Sequence, residues 1–177
     1  FNCDVLLNQN LGSQKSEYEN KVSGNCEFLL GCDYALLRLE FSGLRARTLE
    51  KRRNTKEIKN ILVSMGGSDV DNVTYDILQQ LGRGFNIVVV LGSSSPHNKM
   101  IENYAIDKGI RVIINAENMS ELMFEADLAI GAGGSTSWER CCLGLPTLLF
   151  VTEENQRVVA KNLERLGAVI VVKNLKD

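Results

Sequence analysis

The feature that most constrains this chain is a rhythm that begins at Ile58. Short runs rich in β-branched residues alternate with longer segments of helical period, and turns of small or polar residues separate them. The strand runs fall at 61–63, 86–91, 111–114, 127–130, 147–150 and 169–172. Helices are expected at about 71–81, 98–108, 120–125, 136–143 and 155–166. Strands that alternate with helices pair in parallel, with helices covering both faces of the sheet. The rules on crossover connections leave few topologies, and the simplest is a Rossmann-like, doubly wound α/β sheet over 58–177.

The residues before Ile58 have a different character. Residues 1–41 read as irregular, with short apolar pieces at 5–7 and 28–30 around the polar stretch 8–25. Residues 42–57 are rich in Arg and Lys and poor in large apolar side chains, which predicts a solvated connector between domains rather than a nucleic-acid arm. The chain opens on Phe1, already inside an apolar stretch, so an excised piece of a longer protein is expected. A net charge of −2 and a pI of about 5.6 argue against nucleic acid or a membrane surface as partner. No apolar run approaches the roughly 20 residues of a membrane span. Five cysteines (3, 26, 32, 141 and 142) are odd in number and fit no zinc spacing. They read as small buried thiols of a cytoplasmic protein, with no metal site expected.

In a doubly wound sheet the ligand lies beyond the carboxyl ends of the strands, so the strand-to-helix turns carry the function. Two are rich in glycine. The turn Gly131-Ala132-Gly133-Gly134-Ser135-Thr136-Ser137 opens a helix. Glycine lets amides approach an anion closely, and a helix start adds unpaired donors and partial positive charge. Gly133, Gly134, Ser135 and Thr136 are therefore candidates for a diphosphate cradle, against the plainer reading of a tight turn with a serine cap. The pattern is neither GxGxxG nor a Walker motif. The earlier turn Gly66-Gly67-Ser68-Asp69 could face a sugar or phosphate in the same way; a simple turn capped by Ser68 or Asp69 weighs equally.

Glu139, one turn into the second helix, could accept bonds from ribose hydroxyls. Its competitor is an ordinary surface acid near a helix start. Asn155 and Gln156 follow the strand at 147–150 and can donate to phosphate or sugar oxygens without adding negative charge; capping is the alternative. His97, the sole histidine, follows Pro96 and is expected at the surface rather than as a base. Trp138 reads as core.

GGSD after the first strand, GAGGSTSWE, CLGLPTLL and EENQ resemble the carboxyl-terminal domain of GT-B enzymes. The peptidoglycan UDP-N-acetylglucosamine transferases are similar at a distance. Nearer is the family of UDP-sugar hydrolases of pseudaminic acid synthesis, whose members are often labelled spore coat polysaccharide glycosyltransferases. DVLLNQNLG and LLGCDYALLRLEF are similar to the end of that family's amino-terminal domain, so residues 1–41 read as its tail. The resemblance implies hydrolysis of UDP-2,4-diacetamido-2,4,6-trideoxy-β-L-altropyranose to UDP and the free sugar, inverting and without metal or cofactor. It implies that Glu139 holds ribose, that Asn155 and Gln156 contact the nucleotide or diphosphate, and that Gly134, Ser135 and Thr136 bind the diphosphate. Ile114 and Asn115 would offer backbone groups to uracil. Tyr34 and Arg38 fall in a hinge-side motif that in the family reads Arg-Pro-Glu-Phe; here Leu39 replaces the proline. The family's catalytic histidine sits in an amino-terminal loop with no counterpart here. The expected partners are therefore UDP or a UDP-sugar and the chain's own missing amino-terminal domain, with UDP binding but little catalysis. A glycosyltransferase with the same donor, an epimerase acting on UDP-N-acetylglucosamine, and a non-catalytic nucleotide-binding module are the alternatives.

Overall fold

The computed structural model describes residues 2–173. Eight strands and six α-helices follow in chain order: β1 (Val5–Asn8), β2 (Glu27–Leu30), α1 (Leu39–Asn54), β3 (Asn60–Ser64), α2 (Val73–Gln80), β4 (Asn86–Leu91), α3 (Asn98–Ile106), β5 (Arg111–Ile114), α4 (Met119–Glu125), β6 (Leu128–Ala132), α5 (Thr136–Cys142), β7 (Thr147–Phe150), α6 (Arg157–Arg165) and β8 (Ile170–Val172). Six strands form one parallel sheet in the order β5-β4-β3-β6-β7-β8. The doubly wound α/β architecture read from the sequence is the one observed. The order reverses between β3 and β6, which defines the switch point of the sheet.

Strand alternation explains the two faces. Ile61, Val63, Val89, Leu91 and Ile130 pack with Ile77 of α2 and Ile101 of α3. Leu62, Val90 and Ala129 point the other way, onto Leu122 and Met123 of α4 and Phe41 of α1. Leu149 of β7 joins that second face, where Trp138, Val159, Ala160 and Leu163 cover it. Trp138 is therefore core, as expected. A strand buried on both sides cannot alternate apolar with polar, so these strands appear in the sequence as unbroken apolar runs.

The stretch 42–57 departs from the solvated connector expected of it. Most of it belongs to α1, a helix of 16 residues. Phe41 and Thr48 are fully buried, and withdrawing a Phe side chain from water stabilises by about 1.5–3 kcal/mol. The basic residues have specific work. Lys51 donates to the carbonyls of Phe124 (2.8 Å) and Glu125 (2.7 Å), and Arg52 to those of Met123 (2.7 Å) and Ala126. These are the carbonyls left over where α4 ends, and cations there also complement the helix dipole. Arg45 donates likewise to the carbonyl of Cys142, where α5 ends.

Residues 1–41 are not uniformly irregular. β1 and β2 form a separate two-stranded parallel sheet, with Val5 opposite Glu27 and Asn8 opposite Leu30. One tie to the large sheet's layer runs from the Asn162 side chain of α6 to the carbonyl of Leu11, at 2.9 Å.

Candidate functional site

The turns that follow β3, β6 and β7 meet at the switch point and wall a cleft of about 320 Å³. Gly66, Gly67, Ser68 and Asp69 form one wall, Ala132, Gly134, Ser135 and Thr136 the other, and Thr152, Glu153 and Gln156 close the end. The structure thus brings together seven of the predicted residues: Gly66, Gly67, Ser68, Gly134, Ser135, Thr136 and Gln156.

The turn into α5 lines this cleft and leaves amides without an internal partner. Ser135 is already in helical conformation (φ −57°, ψ −29°), and no side chain caps the helix. The Ser137 amide bonds the Gly134 carbonyl at 3.0 Å, and the Trp138 amide bonds the Ser135 carbonyl at 3.0 Å. Among the described residues nothing accepts from the amides of Gly134, Ser135 and Thr136. Gly133 differs from its neighbours. Its amide is taken by the Phe150 carbonyl (3.2 Å) and by Gln156 Oε1 (3.3 Å), and it does not line the cleft. It serves packing: a Cβ there would meet Gln156 Cβ at 3.2 Å.

The turn into α2 is built otherwise. Asp69, at φ +38° and 7% exposed, accepts from the Val73 amide (2.9 Å) with one carboxylate oxygen and from the Thr74 amide (3.0 Å) with the other. The donors at the start of α2 are therefore satisfied from inside the chain. Of the two readings open in the sequence, the Asp69 cap is the one the structure contains; the amides of Gly66, Gly67 and Ser68 still border the cleft. This turn is braced from behind: Ser94 donates to the Gly67 carbonyl at 2.8 Å, and a Cβ on Gly92 would lie 2.1 Å from that same oxygen.

Gln156 Oε1 also accepts from the amide (3.1 Å) and hydroxyl (3.3 Å) of Thr152. An oxygen with those donors fixes which end of the amide faces the loops, leaving the NH₂ group for a ligand. Its neighbour Asn155 lies elsewhere, in a second hollow of about 420 Å³ shared with Asn8, Leu11 and Tyr18. Glu139 does not line the cleft; its side chain is 15% exposed, and Oε1 accepts from Arg38 at 3.2 Å. Arg38 also pairs with Glu40 at 3.1 Å and stacks over the Phe41 ring at 5.0 Å. Arg38 thus joins the hinge-side segment to α5. Tyr34, in the same segment, is exposed. Ile114 and Asn115 do not line the cleft. Asn115 takes a left-handed conformation (φ +52°), its amide bonds the Leu91 carbonyl at 2.9 Å, and its side chain accepts from the Ser93 amide at 2.8 Å.

His97 is partly buried at the start of α3 and does not itself line the cleft, but its Nε2 lies 2.9 Å from the carbonyl of Val70, which does. The cysteines are less buried than expected: Cys26 is buried, Cys3, Cys141 and Cys142 are partly so and Cys32 is exposed. Among the described residues no His, Cys, Asp or Glu group could hold a metal, and no helix is long and apolar enough to cross a membrane.

One residue escaped the sequence reading. Arg140 is 3% exposed and lies beneath the second turn, where Nη2 donates to the Ala132 carbonyl (2.6 Å) and to Ser137 Oγ (3.0 Å). Burial pushes its guanidinium down to about 10, against the opposing pull of Cys141 and Glu139. Periodicity assigns an arginine to the surface, so the sequence signal was slight: Gly131, where a Cβ would stand 2.0 Å from Arg140 Nη1.

An open parallel sheet with its cleft at the switch point, and two glycine-bearing turns bordering it, defines a doubly wound α/β domain of the kind that places its ligands beyond the carboxyl ends of the strands. The chain belongs to the glycosyltransferase family 28 C-terminal domain, which it matches over residues 47–176. It is 31% identical over 166 residues to the UDP-2,4-diacetamido-2,4,6-trideoxy-beta-L-altropyranose hydrolase of Campylobacter jejuni, covering 93% of this chain and 58% of that protein. It is 31% identical over 173 residues to the spore coat polysaccharide biosynthesis protein SpsG of Bacillus subtilis, covering 94% of this chain and 49% of that one. The chain therefore spans about half the length of these relatives. Among solved structures it resembles Acinetobacter baumannii MurG, with a TM-score of 0.55 and 20% identity over 71% of this chain and 39% of that chain. The fold is that of a GT-B carboxyl-terminal domain, and the relatives' names place the family in sugar-nucleotide and polysaccharide chemistry.

Proposed function

We propose that the cleft binds the UDP part of a UDP-sugar, and that the parent enzyme hydrolyses a UDP-diacetamido-trideoxy sugar to UDP and the free sugar for nonulosonic acid synthesis. The observation that carries this is that Gly134, Ser135 and Thr136 line the cleft and that among the described residues nothing accepts from their amides. A diphosphate supplies what they lack: oxygens with negative charge at a helix start. Glu139, one turn on, would take the ribose hydroxyls, and Arg38 would hold its carboxylate in place. The NH₂ of Gln156 would meet a phosphate or sugar oxygen. Asn155 and Asn115 have a smaller part in this reading, because one lies in another hollow and the other's side chain is engaged by Ser93, and Ile114 does not line the cleft.

Hydrolysis itself needs a base for water at the anomeric carbon. The sole histidine is held at Val70, so this base would come from outside these residues. UDP departs as an anion, and the amides that bind it would stabilise the charge that develops as it leaves. The chain by itself would bind UDP and turn over little. The relative from Bacillus subtilis supports a second reading, in which a sugar acceptor replaces water; product analysis on the full-length protein with and without acceptor separates the two.

The test is calorimetric titration of this chain with UDP, UMP and ADP. UDP binds best, and Glu139→Ala weakens it at least about tenfold, because a charge-assisted bond contributes roughly 1.5–3 kcal/mol. Equal affinity for ADP, or a Glu139→Ala variant that binds UDP as tightly as the parent, contradicts the reading.

A further inference from the structure

Arg140 is a full charge in a place where charges are rarely left alone. It is 3% exposed, and no carboxylate among the described residues pairs with it. The adjacent acid, Glu139, is engaged by Arg38 instead. The protein atoms that meet the guanidinium are neutral: the Ala132 carbonyl and Ser137 Oγ, both reached by Nη2, while buried Nε has no partner. Burying an unpaired guanidinium is costly, and apolar side chains of similar volume pack such a space at lower cost. Space has also been cleared for it. A Cβ on Gly131 would stand 2.0 Å from Nη1 and 2.9 Å from the Ser64 carbonyl. The guanidinium thus lies against Gly131 at the end of β6, under the turn that borders the cleft.

We propose that Arg140 is a positioning residue for the anionic part of the ligand: it clamps the 131–137 turn through Ala132 and Ser137, and its unpaired charge selects a diphosphate over a neutral or singly phosphorylated ligand. The inference rests on the nucleotide reading given above. It adds to that reading a source of selectivity that does not touch the ligand. A clamp from below keeps the amides of Gly134, Ser135 and Thr136 directed outward. A buried charge beneath the same turn acts through a poorly screened interior, so its effect grows with the charge of what binds in front.

The experiment is titration of the full chain with UDP, UMP and uridine, for the parent, Arg140→Met and Arg140→Lys, each checked for folding by circular dichroism. In Arg140→Met, UDP affinity falls about tenfold or more, UMP affinity falls less and uridine affinity changes less than about twofold. Arg140→Lys, which keeps the charge, recovers part of the loss for UDP. A folded Arg140→Met that binds UDP as the parent does, or that loses all three ligands equally, overturns the proposal. If the Met variant does not fold, the parent still decides: the ¹⁵Nε–¹H resonance of Arg140 shifts with UDP and stays with uridine, and an unmoved resonance at saturating UDP overturns it. A parent that binds UDP no better than uridine sinks the nucleotide reading itself. A parent that prefers UDP beside an indifferent Arg140 variant sinks this inference alone.

Discussion

The two glycine-bearing turns at the switch point look alike in sequence and differ in electrostatics. After β3, Asp69 folds back and both its oxygens take the amides of Val73 and Thr74. After β6 no acid fills that role, and a buried arginine lies underneath. The first helix start is therefore neutralised from within, while among the described residues the second has no side-chain cap. Glycine content makes close approach possible in both turns; in the proposed reading, the presence or absence of an internal carboxylate sets which one attracts a phosphate. That distinction separates a structural turn from a binding turn more sharply than any count of glycines.

The comparison can be broken by giving the second turn what the first already has. Ser135→Asp places a carboxylate at the start of α5. UDP affinity should fall about a hundredfold, since facing like charges cost several kcal/mol. Stability should hold or rise by roughly 0.3–1 kcal/mol through the helix dipole. Titration and thermal melting read the two effects separately, and retained affinity would count against the diphosphate cradle.

The converse change removes the cap. Asp69→Ala leaves two amides at the start of α2 without their acceptor, which costs about 2 kcal/mol. For a chain of this size that lowers Tm by roughly 4–8 °C in scanning calorimetry. An unchanged Tm would show that the cap is dispensable.

A smaller contrast concerns the glycines themselves. At Gly134 an added Cβ meets nothing within 4 Å, so Gly134→Ala should leave stability within about 0.5 kcal/mol while crowding the ligand side. At Gly92 the added Cβ runs into the Gly67 backbone, 2.6 Å from its Cα, so Gly92→Ala should cost about 1–3 kcal/mol. Melting curves of the two variants check the difference.

The sheet was readable from the sequence because its inner strands are buried on both faces. β4 and β7 fall at the expected residues, since an apolar run bounded by turn residues marks an inner parallel strand directly; β5, at the sheet's edge, falls there too as a short β-branched run. α1 was not readable as a docked helix. Its attachment depends on Phe41, on buried Thr48, and on cations reaching the carbonyls at the end of α4, none of which forms an apolar stripe. β1 and β2 are four residues each and pair across a polar stretch, so only distant contacts reveal them. Within the site, the glycine turns and Gln156 could be located by type and spacing. What could not be read was orientation: Asn155 beside Gln156 faces another hollow, Gly133 beside Gly134 turns its amide inward, and Arg140 beside Glu139 is buried.

The most direct test follows individual amides in a ¹H–¹⁵N correlation spectrum as UDP is added. The amides of Gly134, Ser135 and Thr136 should shift strongly with UDP and little with uridine, while those of Val73 and Thr74, held by Asp69, should stay in place. Large shifts at Val73 and Thr74 with still resonances at 134–136 would contradict the assignment of the two turns.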